Sequence, residues 1–357
     1  MKNYKRLGDY IREVNVRNRE LEVKKPMGIN IDKHFMPSVA NVIGTDLSTY
    51  KLVSKMQFAC NLMHVGRDEK IPMAMHTGDN PIIVSPAYFV FVVTNTDQLL
   101  PEYLMMWFRR PEFDRNAWFY TDADVRGGMG KESLLDMQLP IPSITHQREI
   151  VAEYETLTRR IRINEQMIQH LEDTAQALYR KMFVDGIDKE NLPEGWRMGT
   201  LSDICDIKYG KNYEDILEGV IPIYGSGGII RYGNMSLYSD ESVLIPRKGS
   251  LNNIAYVNNP FWTVDTMFYT IMKQPFIAKY LYFNLRKYDF LSMDTGSAVP
   301  SMTTNILNQI ELIIPPKRIL QYFDDKLCKI YNHFLMKELE NKKIIELQSL
   351  FLAKIGQ

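Results

Sequence analysis

The run IVAEYETLTRRIRINEQMIQHLEDTAQALYRKM, residues 150–182, decides the architecture. Ile150, Leu157, Asn164, Leu171 and Leu178 recur at one position of a seven-residue repeat, and Tyr154, Ile161, Ile168, Ala175 and Met182 recur four residues on. That spacing holds one apolar stripe toward a partner helix, as in a coiled coil. Roughly 35 residues at about 1.5 Å each make a rod of about 50 Å, whereas a core helix usually ends within about 8 to 20 residues. Asn164 is the polar member of the stripe, a residue type that fixes register at a cost in stability. A second helical pattern starts with Phe323, Leu327, Ile330 and Phe334 and resumes at Ile344, Phe351 and Ile355. Lys337 and Asn341 dilute it, so a stutter through Leu335 and Leu339 is expected. Two such helices in one chain bury their stripes most simply by packing antiparallel, with the intervening segment looped out.

Working outward, the chain is written twice. Leu7-Gly8-Asp9-Tyr10-Ile11 resembles Leu201-Ser202-Asp203-Ile204-Cys205, and the strand-like run Val84 to Phe91 aligns with Val264 to Ile271. Tyr103 to Phe108 answers Tyr280 to Leu285, the loop Arg126 to Met129 answers Thr295 to Ala298, and Leu134 to Pro142 answers Leu307 to Pro315. Pro142 precedes Gln147 by five residues as Pro316 precedes Gln321, and these glutamines are expected to cap or orient the helix starts. Order is kept while spacing drifts, which places insertions in loops. The segment Val184 to Gly186, followed by Leu192-Pro193-Glu194-Gly195-Trp196, carries the Gly and Pro signals that end the first helix.

The 357 residues suggest two or three domains, and 45% hydrophobic with 24% charged residues is ordinary globular usage, which excludes collagen-like and wholly disordered chains. The apolar run Tyr88 to Val93 is far short of a membrane span, and the charged start Met1 to Arg6 does not read as a secretory signal, so no membrane partner and a cytoplasmic location are expected. Cys60, Cys205 and Cys328 are too few and too scattered for a disulfide framework. Basic and acidic residues balance at 43 each, which argues against a purely electrostatic DNA binder. Local basic stretches survive that balance. Lys2, Lys5, Arg6, Arg12, Arg17, Arg19, Lys24 and Lys25 crowd the start, and Arg247-Lys248 lies in an acid-free stretch from Ser242 to Asn259.

Catalytic signatures are missing. Gly225-Ser226-Gly227-Gly228-Ile229-Ile230 has Ile230 where a dinucleotide loop needs its third glycine, and reads as a turn. Asn259-Pro260-Phe261 lacks the second proline and the cofactor loop of an adenine methyltransferase. The six histidines never take metal-ligand spacing, and neither a P-loop nor a nucleophile elbow occurs. The chain therefore reads as a two-headed binding protein. Two unlike heads at fixed separation suit two short DNA sites spaced along a duplex. In the second head Arg247, Lys248, Asn252 and Asn253 share one loop: Arg can pair bidentately with guanine, Asn with adenine, and Lys with phosphate. Asn61, His64 and Arg67 give the first head a comparable set. The Gly-bearing loops add Arg126, Ser226 and Ser297 as candidate DNA contacts.

The layout resembles the specificity (S) subunit of Type I restriction-modification systems over essentially the whole chain. It rests on Pro142 to Gln147, the helix ending Leu178 to Gly186, Leu192 to Trp196, Ile221 to Ile229, Val264 to Tyr269, Leu100 to Arg110 and Gly296 to Ser301. Where that family often has Gly-Arg-Lys-Gly-x-x-Gly, this chain has Pro246-Arg247-Lys248-Gly249-Ser250-Leu251-Asn252, without the outer glycines. The resemblance implies an α+β fold of two mixed α/β target-recognition domains, 1–145 and 187–318, separated by antiparallel spacer helices, 146–186 and 319–357, with a pseudo-two-fold repeat. It further implies that each domain reads half of a bipartite site on double-stranded DNA. The helices would dock two modification (M) subunits, which hold S-adenosylmethionine and methylate a flipped adenine. Restriction (R) subunits using ATP and Mg would complete the enzyme, and this chain would carry no cofactor and catalyse nothing. The alternatives are a recognition subunit of another methylation-based phage defence, or a coiled-coil scaffold with protein- or glycan-binding heads.

Overall fold

The computed structural model describes residues 4–39, 44–63, 65–121, 128–293 and 301–355. They form two compact units, Met1–Asn164 with Leu339–Gln357, and Glu165–Glu338. The boundaries fall inside the long helices, Ile144–Phe183 and Lys317–Ile355, and not at their ends.

On the first helix the ten heptad residues from Ile150 to Met182 are all buried or half-buried. From 150 to 183 only Val151, Tyr179 and Phe183 join them. Within the first unit Tyr154 lies 6.4 Å from Phe351, Gln348 Nε2 donates to Thr158 Oγ1 at 2.8 Å, and Asn164 Nδ2 donates to Asn341 Oδ1 at 2.9 Å. Numbers rise on one segment as they fall on the other, so these segments pack antiparallel. The same holds within the second unit. There Phe183 meets Phe323 edge-on at 4.9 Å, while Leu171 and Ala175 share a cavity with Ile330 and Phe334. Leu327 is fully buried among them.

The expected stutter does not occur. Leu335 and Leu339 are 49% and 54% exposed. The sheltered row runs Phe334, Lys337, Asn341, Ile344, Gln348, Phe351, Ile355 in unbroken three-four spacing. The dilution has a different cause, because Asn341 stands opposite Asn164 and an amide pair replaces an apolar layer. Asn164 is fully buried, and its Oδ1 has no hydrogen-bond partner among the described residues.

Each unit repeats one frame. In the first, Tyr4–Arg6 pairs antiparallel with Gln138–Pro140, and a four-stranded sheet runs in the order Ile11–Glu13, Phe89–Val93, Phe58–Cys60, Met73–Met75. In the second, Arg197–Thr200 pairs with Glu311–Ile314, and the sheet runs Cys205–Tyr209, Met267–Met272, Ser242–Pro246, Ala255–Val257. An outer sheet follows in both, an antiparallel hairpin flanked by a parallel strand: Pro26–Ile29 and Phe35–Pro37 beside Ile82–Val84, and Glu218–Gly225 and Gly228–Gly233 beside Trp262–Thr263. In the first unit Lys51–Val53 extends that outer sheet.

Single contacts repeat too. Leu7 N donates to Met137 O at 2.8 Å and Leu201 N to Ile310 O at 2.9 Å. The buried Tyr103 hydroxyl donates to Pro140 O, and that of Tyr280 to Ile313 O. A buried hydroxyl left without such an acceptor would cost about 1 to 3 kcal/mol, so each tyrosine locks its helix to the end of a strand. The register differs by one residue from the sequence alignment. Ile11 pairs with Val93 and Cys205 with Met272, so Phe91 corresponds to Thr270. Thr270 is fully buried with its hydroxyl bonded to the backbone of Val243, a polar residue in an apolar place.

The glutamines part company. Gln147 is fully buried, its Oε1 accepting from Leu100 N and its Nε2 donating to Gln98 O and Pro142 O, so it orients the first helix start. Gln321 is exposed, and the fully buried residue near the second start is Leu320, an apolar solution. A charge cluster lies in the second unit around a buried lysine. Lys279 Nζ lies 2.7 Å from both Glu241 Oε1 and Asp324 Oδ1. Burial opposes its charge, but the two carboxylates outweigh burial and hold its pKa above the ordinary lysine value.

Replacing both amides, Asn164→Leu with Asn341→Leu, should raise the melting temperature, because a pair with one unmet acceptor gives way to an apolar layer. Asn164→Leu alone should gain less, since Asn341 then loses its partner. Thermal unfolding followed by circular dichroism checks the order.

Candidate nucleic-acid interface

In the second unit Ser226 and Gly227 form a two-residue turn closed by the pair Gly225 and Gly228, and Gly228 has φ +114, open to glycine alone. Next to this turn lies the loop that leaves the strand Ser242–Pro246. Arg247 is held by its backbone, with N donating to Thr266 O and O accepting from Met302 N, both at 2.8 Å. Its guanidinium donates to Asp265 O at 3.1 Å and lies 5.5 Å from the centroid of the Tyr209 ring. Lys248 bridges to Ser301 through the backbone and is exposed, in no ion pair among the described residues. Gly249 has φ +82, and a Cβ there would come 2.7 Å from Ser226 Oγ. Asn253 Nδ2 donates to Ser226 O at 2.8 Å. Ser226, Arg247, Lys248 and Asn253 are thus brought to one place: a forked cation, a point charge, a hydroxyl and an amide on a fixed support.

Asn252 departs from the expected base-reading role. Its Nδ2 donates to Asp289 Oδ1 at 2.9 Å and its Oδ1 accepts from Phe290 N at 2.8 Å, so both ends of the amide pin the neighbouring segment.

The first unit offers a looser set. Asn61 Oδ1 accepts from Met63 N at 3.0 Å, while Arg67 forks onto the adjacent Asp68 at 2.7 and 3.0 Å, an ion pair that a base or phosphate would have to displace. Met129 N donates to Leu62 O and brings the end of the Gly-bearing loop beside Asn61. His64, Arg126 and Ser297 lie outside the described residues. Inside the unit, Lys33 is buried with its Nζ 2.6 Å from Asp114 Oδ1 and 3.0 Å from Ile71 O. It ties the outer hairpin to the helix Pro111–Phe119. Burial lowers its pKa, with Asp114 opposing.

Sequence reasoning missed Tyr209 and this Lys33–Asp114 tie. Tyr209 ends a strand just before Gly210 and is 52% exposed, but only the fold shows that Arg247 stacks on it. The cysteines are free; burial pushes the Cys205 thiol up to about 12 and Cys60 higher still. Among the described residues no group of three or more His, Cys, Asp or Glu could hold a metal, and no helix is long and apolar enough to cross a membrane.

Residues 193–349 match the family model of the Type I restriction modification DNA specificity domain. Over that segment the chain is similar to the Type I DNA specificity domain. It is 22% identical to the Type I restriction enzyme HindI specificity subunit of Haemophilus influenzae, over 75% of this chain and 79% of that one. It is 21% identical to the MjaIX specificity subunit of Methanocaldococcus jannaschii, over 65% of this chain and 64% of the other. Among solved structures, the S subunit of a Type I restriction-modification system from M. genitalium shares the fold with a TM-score of 0.60 at 13% identity, over 100% of this chain and 96% of that one. A chain from a structure concerned with complex assembly and conformational transition of the type I R-M system gives 0.54 at 16% identity, over 99% and 97%.

Asn252→Ala should destabilise the second unit by about 1 to 2 kcal/mol, since Phe290 N and Asp289 lose a partner, whereas Asn253→Ala should change stability by less than about 0.5 kcal/mol. Urea unfolding of the two variants makes the comparison.

Proposed function

We propose that this chain is the DNA sequence-specificity subunit of a Type I restriction-modification enzyme. One observation carries the reading: two units share a frame down to single hydrogen bonds, yet present unlike loops, Ser226, Arg247, Lys248 and Asn253 in one and Asn61 and Arg67 in the other. A common support with different reading groups suits a bipartite, asymmetric target. The long helices would dock two M subunits, and R subunits would join them. S-adenosylmethionine, ATP and Mg would sit in those partners, in the cytoplasm, and this chain would not itself catalyse. Neutral net charge fits a subunit whose partners share the clamping of phosphates.

Mapping N6-methyladenine across a genome with and without this chain tests the proposal. A two-part motif should vanish with the chain, and an unchanged methylation pattern would refute it. At finer grain, Arg247→Ala should relax discrimination at one base of one half-site by about 1 to 3 kcal/mol, while Lys248→Ala weakens specific and random DNA alike. Competition binding on both DNAs, with melting as a check that Arg247→Ala stays folded, separates the two roles.

A further inference from the structure

An open depression of about 560 Å³ in the first unit, outside the candidate residues above, is lined by Arg17, Arg19, Ser48 and Thr49. Its walls are built with care. Arg17 bridges to Lys51 through the backbone, and its Nη1 donates to Thr49 O at 2.5 Å, so one guanidinium edge is fixed and the rest is presented outward. Asn18 is 2% exposed and spends its amide on Val23 O, Leu47 O and Val23 N, clamping the following loop. That loop passes through Leu21 at φ +54, a strained value for a branched side chain, and carries exposed Lys24 and Lys25. Arg17, Arg19, Lys24 and Lys25 form no ion pair among the described residues. The nearby carboxylates are Glu20 and Glu22 on the loop and Asp46, whose side chain already accepts from Ser48 N. The two hydroxyls are already engaged with Asp46, Thr49 Oγ1 donating to its O at 2.8 Å and the Ser48 side chain to its carboxylate, so the donors offered to a tetrahedral anion in this open hollow are the forked guanidiniums of Arg17 and Arg19.

Resting on the specificity reading above, we infer that this depression seats a backbone phosphate of the DNA and positions the first unit on the duplex without reading sequence. Phosphate contacts fix register and carry no sequence information, so this site acts on affinity and salt dependence alone.

The test titrates the full-length chain, with the modification subunit it assembles with, against a mixed-sequence duplex between about 50 and 200 mM salt. Arg19→Ala, which removes no contact inside the described structure, should weaken binding several-fold on every sequence and reduce the slope of log affinity against log salt by about one. Arg17→Lys, which keeps charge but loses the fork, should weaken binding with little change in slope. Lys189→Ala, at an exposed position after the first long helix, removes the same charge elsewhere and should leave both unchanged. If wild type binds DNA and Arg19→Ala binds with the same affinity and slope, the phosphate seat is overturned while the specificity reading stands. Saturable binding of inorganic phosphate at the depression that leaves the DNA slope untouched would make it a free-anion site and overturn the inference as well. Absence of DNA binding by the wild-type assembly overturns both.

Discussion

An apolar stripe along a helix has to be covered, and the packing in each unit follows from how its stripe is covered. In the second unit Tyr179 and Phe183 close against Tyr280 and Phe323 with ring separations of 4.8 to 6.3 Å, so the helix pair and the sheet share one core. In the first, Val151, Tyr154 and Leu352 join the core that holds Tyr103 and Phe108. The tyrosines of the short helices are the hinge pins of this arrangement: their rings fill the core while their hydroxyls find a carbonyl at the strand end, so burial and hydrogen bonding agree on one geometry.

On that support the outer loops are free to differ. Arg247 illustrates how a loop residue becomes precise without sitting on a helix or strand: backbone bonds to Thr266 and Met302, a carbonyl under the guanidinium and the Tyr209 ring leave it few alternatives. Such preorganisation lowers the ordering entropy that recognition would otherwise cost. Arg67, engaged with its own neighbour Asp68, is less committed to any outside partner.

Much of the frame was legible because periodicity and duplication are patterns of residue type. The seam of the first helix, the strand–helix order of each half and the turn at Ser226 follow from spacing and from Gly and Pro. What escaped was settled by pairs distant in sequence. The register of the second helix depended on Asn341 meeting Asn164, the one-residue shift of the repeat on a threonine filling a core position, and the role of Asn252 on Asp289 and Phe290. Gln147 and Gln321 looked equivalent because both follow a proline by five residues, yet Gln147 is buried and bonded to two carbonyls while Gln321 is exposed. The depression at Arg17 and Arg19 was visible in outline as a basic stretch, but its hydroxyl wall comes from Ser48 and Thr49, some thirty residues away.

The amide pair at Asn164 and Asn341 also marks where the helices are most lightly wrapped. Between Leu157 and Leu171 no seam residue except Asn164 is fully sheltered, whereas Val151, Tyr154, Tyr179 and Phe183 are buried toward the ends. Ordinary helices fray from their tips. Here the tips are anchored in cores and the middle is thinly covered, so backbone amides should trade their protons for deuterium soonest at mid-length, giving each long helix a soft waist between two firm ends.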